Sequence, residues 1–136
     1  NAEIAGATGG CQAEVGLASA MGAAAAVEVA GGTAEQSAQA LSIAMSNLLG
    51  LVCDPIAGLV EVPCVKRNAI GASNALVAAD MALAGCSSVI PADECIDAMK
   101  KVGHQMPASL RETGIGGLAG TPTGQAIKAK IFGEDA

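Results

Sequence analysis

The chain has 136 residues, 51% of them hydrophobic, with a formal net charge of −6 and a mean hydropathy of +0.48. That length supports one compact domain, residues 1–136, rather than two. The acidic balance excludes a nucleic-acid binder, because a phosphate backbone selects for excess Lys and Arg.

The first element runs from Cys11 to Ala30, a stretch of good helix formers interrupted by Gly16 and Gly22 and stopped by Gly31-Gly32. Val15–Ala30 is apolar, but Glu14 and Glu28 bracket it and it falls short of the ~20 residues a membrane span needs. No basic region followed by an apolar run marks an export signal at the N-terminus. A soluble, cytoplasmic chain is therefore expected. Thr33-Ala-Glu-Gln36 has the form of a capping box and opens a helix from Ala34 to Leu49, with Ala38, Leu41, Met45 and Leu48 along one stripe. Leu51–Pro63 is broken by Pro55, Gly58 and Pro63 and reads as an apolar loop, expected to run buried. A helix follows from Pro63 to Leu83, stopped by Gly85, and another from Pro91 to Val102, ended by Gly103. Thr113–Gly124 is a glycine-rich loop, and Gln125–Ile131 forms a short terminal helix. The fold class expected is all-α, about five Ala/Gly-rich helices around that Pro/Gly loop. The only aromatic ring besides His104 is Phe132, so the core must come from close backbone approaches between small side chains. A chain this apolar and this thinly charged also reads as one separated from a covering neighbour.

Five cysteines cannot all pair within one chain, and without an export signal metal or thiol chemistry is a better reading than a disulfide framework. Cys53-x10-Cys64 and the distant Cys11 match neither zinc-ribbon nor ferredoxin spacing. Spacing alone favours small buried hydrophobes. Placement speaks for more. Cys11 follows Gly9-Gly10 at a helix start, and Cys53 and Cys64 flank the broken loop, where backbone N–H groups are free to face a ligand.

The segments around those cysteines, Asn1–Gly16 (NAEIAGATGGCQAEVG) and Gly50–Asn68 (GLVCDPIAGLVEVPCVKRN), resemble the iron–sulfur-dependent L-serine dehydratases, and the resemblance continues through Ala69–Ala84 and Leu110–Ala119. It implies that Cys11, Cys53 and Cys64 hold a 4Fe–4S cluster, with one iron left free as a Lewis acid for the substrate hydroxyl. The implied reaction takes L-serine to pyruvate and ammonia without pyridoxal phosphate. The resemblance also implies partners: L-serine, a β subunit, and a helical part of the α chain preceding Asn1. This chain is thus expected to be a C-terminal fragment, inactive alone, and self-association into a homo-oligomer is allowed. Alternatives are a related hydro-lyase acting on threonine and a non-catalytic iron–sulfur sensor or structural subunit.

Several polar residues are candidates for the chemistry. Arg67 and Asn68 follow Cys64 within a helical turn, and either could receive the substrate carboxylate; alternatively Arg67 is a solvated cation. Glu61, in a loop expected to be buried, is a base candidate or half of a salt bridge. Glu14 could orient a ligand or cap a dipole. Asp54 before Pro55 suits a turn. Cys86 and Cys95 are expected to be packing residues, His104 a helix terminator, and Arg111, Glu112 and Thr113 have no assigned role.

Overall fold

The computed structural model describes residues 3–133. Among these the chain forms six α-helices and no strand: α1 Gly6–Gly9, α2 Leu17–Val29, α3 Ala34–Asn47, α4 Cys64–Leu83, α5 Ala92–Gln105 and α6 Pro122–Phe132. A π-helical segment, Gln12–Gly16, leads directly into α2. The all-α expectation holds. Among the described residues, no helix is long and apolar enough to cross a membrane.

Helix ends follow local chemistry. The capping box at Thr33 forms as read: its hydroxyl accepts from the Gln36 N–H at 3.1 Å, and its own N–H donates to Gln36 Oε1 at 2.9 Å. Gly85, at φ 88°, closes α4; the Cys86 N–H reaches back to the Met81 carbonyl at 2.9 Å, satisfying an otherwise orphaned acceptor. Thr121 caps α6 by accepting from the Gly124 N–H, with Pro122 at the first helical position, so this helix starts earlier than Gln125.

Gly103 does not end α5. The helix runs on to Gln105, and the glycine is buried inside it, where an added Cβ would stand 3.0 Å from the Gly9 Cα. Its role is a close crossing of α1 and α5, not termination. His104 consequently lies in the last turn, exposed, with Nε2 3.2 Å from Glu3 Oε1.

The main core lies between α2, α3 and α4, with α5 packed on α3. Ala20, Ala23, Ala44, Ala78 and Met45 are almost fully buried there. Small residues let the helices approach closely, so contact comes from backbone proximity rather than bulky anchors. On α3 the buried positions are Ala40, Ile43, Ala44 and Met45, while Ala38 is exposed and Leu41 and Leu48 are half-buried. The stripe read from the sequence is rotated because α3 packs against α2, α4 and α5, not one partner.

The Leu51–Pro63 loop is buried only in part, at Cys53–Pro55 and Pro63; Gly58–Val62 is exposed. Its buried backbone is satisfied by a short parallel bridge to the Leu110–Glu112 segment. The Cys53 N–H donates to the Leu110 carbonyl at 2.8 Å, and the Glu112 N–H donates to the Cys53 carbonyl at 2.7 Å. The exposed half turns away toward α6, which packs on the 56–58 turn.

Candidate metal centre

A second, smaller core gathers Cys11, Val15 and Cys53, with Leu48 and Leu51 against it. Two separate pieces of chain meet there, with Cys64 buried at the start of α4. Cys11 stands between α1 and the π segment, after Gly10, whose φ of 76° lets the chain turn inward. Gln12 fixes that turn. Its side-chain amide donates to the Gly9 and Met99 carbonyls at 3.0 and 2.9 Å, and its Oε1 accepts from the Gly50 N–H at 2.9 Å. One buried side chain thereby joins α1, α5 and the start of the loop carrying Cys53. Cys53 is held by its bridge to Leu110 and Glu112, and Cys64 is the first residue of α4.

The three thiols are all buried and none forms a disulfide. Cys11 and Cys53 pack together in that core, and Cys64 is buried at the head of α4. Burial pushes the Cys53 thiol far above the ordinary thiol value, reinforced by Cys11 and by the Glu112 carboxylate. Burial likewise raises Cys64, with Cys11 and Glu14 adding to it and Arg67 opposing. Gly6 faces the group from α1: an added Cβ would come within 2.8 Å of Cys53 Sγ and 3.2 Å of Glu14 Oε2. Only a glycine leaves that space open.

No three His, Cys, Asp or Glu side chains among the described residues converge as they would for a single metal ion. A polynuclear cluster takes its thiolates at separate irons, so its ligands stand apart rather than meeting at one point.

Beside the thiols lies a mostly buried ion pair between Asp54, read from the sequence as a turn residue, and Arg67, read as either a receiver of the substrate carboxylate or a solvated cation. Arg67 Nη1 binds Asp54 Oδ1 and donates to the Val52 carbonyl at 2.9 Å, while Asp54 Oδ2 accepts from the Leu118 N–H at 2.6 Å. Burial works against the Arg67 charge, but Asp54 more than offsets it, and the guanidinium pKa is raised. Cys11 adds to that rise. Asp54 ties α4, the Cys53 loop and the glycine-rich 113–121 loop together; Gly117 packs so closely on it that a Cβ would clash with the carboxylate.

The other candidates fall elsewhere. Glu61 is exposed, on the part of the loop that packs toward Ile127 and Ile131 of α6, so the burial that would make it a base is missing. Asn68 is exposed and donates back to the Cys64 carbonyl at 2.9 Å, on the rim of a groove of about 450 Å³ between α2 and α4. Cys95 is buried near the Ser42 and Ile90 carbonyls, as a packing residue should be, but Cys86 is exposed. Sequence reading left Glu112 and Arg111 without roles; the bridge that puts them beside Cys53 leaves no mark in the chain order.

The fold is an all-α domain whose cysteines are all free among the described residues, so it is not stapled by disulfides. The family described as serine dehydratase alpha chain matches residues 1–119, and the chain belongs to that family. It is 73% identical over 99% of its length to a probable L-serine dehydratase alpha chain of Latilactobacillus sakei, and 71% identical over 98% to one of Bacillus subtilis. It is 49% identical over 88% to L-serine dehydratase 1 of Escherichia coli. The chain spans 65%, 44% and 26% of those relatives, respectively.

Proposed function

We propose that this chain is the cluster-bearing part of an L-serine dehydratase, acting with the remainder of its α chain and a β chain to convert L-serine to pyruvate and ammonia. The observation that carries the reading is the burial of Cys11 beside Cys53 in one small core, with Cys64 buried at the start of α4, within a chain of the serine dehydratase alpha family. The raised Cys53 and Cys64 thiols fit a site that gives up protons when metal arrives. The Arg67 cation near Cys11 fits the charge of an anionic cluster. When bound there by three thiolates, a 4Fe–4S cluster supplies a Lewis acid for the poor hydroxide leaving group.

The chain's own residues orient and enclose. Asp54 and Arg67 lock the ligand-bearing segments together, and Gln12 holds α1 in place. Glu14, exposed at the mouth beside Cys53 and Gly6, is placed to receive the substrate ammonium. Glu61 and Asn68 have no part in this arrangement.

The test is pyruvate formation from L-serine by the full-length α chain and β chain reconstituted anaerobically, with L-threonine as the comparison. Turnover of L-serine that is lost in Cys11→Ser, Cys53→Ser and Cys64→Ser is expected. An active enzyme with any of these three changes would overturn the reading.

A further inference from the structure

We infer that Arg111 receives the carboxylate of the small acid bound at this site, a role the sequence had offered to Arg67. The inference rests on the proposed reading for the identity of the acid, L-serine, but its geometry stands independently.

The two arginines of the chain have opposite surroundings. Arg67 is already paired with the Asp54 carboxylate and donates through the same Nη1 to the Val52 carbonyl, so its charge has a partner. Arg111 has no carboxylate partner among the described residues. Its Nε is buried and meets no acceptor, and its Nη1 makes only a long contact of 3.5 Å with the Thr8 carbonyl. A buried guanidinium nitrogen without an acceptor is costly, and such groups call for a missing partner.

The backbone places this side chain next to the thiols. Arg111 is the bridge partner of Cys53, clamped on both sides by the Leu110 carbonyl and the Glu112 N–H. Bridged residues project from the same face of a ladder, so the Arg111 side chain leaves the backbone beside that of Cys53. It then runs to Thr8 in the loop-helix segment that also carries Gly6, whose Cα faces Cys53 Sγ. The following residue, Glu112, is held at φ 64°, a left-handed conformation that is unfavourable for a side chain with a Cβ. That strain persists where the surrounding structure fixes the direction of a functional side chain. A planar guanidinium offering a fork of N–H donors matches a carboxylate in two parallel hydrogen bonds, which an ammonium cannot reproduce.

The test is direct binding, by calorimetry, of L-serine and of L-serinamide to the full-length α chain with its β chain, in native, Arg111→Gln and Arg111→Lys forms. Cluster content and the circular dichroism spectrum are recorded for each, since a variant that loads and folds normally isolates the anion contact. The native protein should prefer L-serine to the amide. Arg111→Gln should weaken L-serine by about 10- to 100-fold and lose that preference, with Arg111→Lys between the two. In turnover the loss should appear in KM, with kcat nearly unchanged. A purely structural brace to Thr8 would not distinguish the acid from the amide. Equal binding of L-serine by native and Arg111→Gln protein, or no native preference for the acid, overturns the inference. Arg111-dependent carboxylate binding without any pyruvate formation would leave this site standing and remove the lyase reading instead.

Discussion

At the scale of single residues, the chain buries free thiols and an ion pair that needs both partners. Asp54→Ala would leave the Arg67 guanidinium uncompensated in a mostly buried site and free the Leu118 N–H as well. A loss of about 3 kcal/mol in unfolding free energy is expected from urea denaturation. The buried thiols make a pH prediction. Burial raises Cys53, Cys64 and Cys95 above ordinary thiols, so the folded chain keeps protons that the unfolded chain releases first. Their contribution is complete below an ordinary thiol pKa near ~8.5 and is lost as pH rises beyond it. The urea midpoint of the cluster-free protein should fall between about pH 8 and 10, and fall less in Cys95→Ala than in the parent. Legibility at this scale was uneven. The candidate ligands Cys11, Cys53 and Cys64 stood out because they lie in long segments that resemble a known family, whereas Asp54, Arg67 and Arg111 have partners 13 to 103 residues away, which no local pattern encodes.

At the scale of elements, local signals were legible wherever one end of a helix decides itself. Thr33 with Gln36 and Gly85 after α4 did what their chemistry requires. Thr33→Ala should cost about 1 kcal/mol, seen as a lowered thermal midpoint. Signals failed where a tertiary contact takes precedence. Gly103 reads as a stop, yet α1 crosses α5 so closely there that glycine is retained inside the helix. Gly103→Ala, which elsewhere in a helix would stabilise, should instead destabilise by about 1–3 kcal/mol, because the Gly9 backbone cannot move aside as a side chain would. The π segment Gln12–Gly16 was likewise hidden: its residues are ordinary helix formers, and the geometry follows from Gln12 bonding to three separate segments. The 51–63 loop was placed indoors for its hydrophobicity, but Leu59, Val60 and Val62 are exposed.

At the scale of the whole molecule, those exposed residues join a larger pattern. Met21, Val65, Ile70, Leu76 and Val77 on α2 and α4 are each more than half exposed, and Leu76 lines the apolar groove between the two helices. Apolar surface of this extent belongs to an interface rather than to solvent. The composition had already suggested it, since a small, poorly charged surface is expected where a neighbour covers the chain. The isolated chain should bind the dye ANS, and Leu76→Glu should reduce that binding with little change in unfolding free energy. Fold class was legible at this scale because helical periodicity and glycine stops persist along the chain; the site was legible only in its thiols. The most direct test of the account is anaerobic reconstitution of the chain with iron and sulfide, followed by iron analysis and absorption spectroscopy. The native chain, Cys86→Ser and Cys95→Ser should each assemble a full cluster, and Cys11→Ser, Cys53→Ser and Cys64→Ser should not. A full cluster in any of the last three would contradict the account.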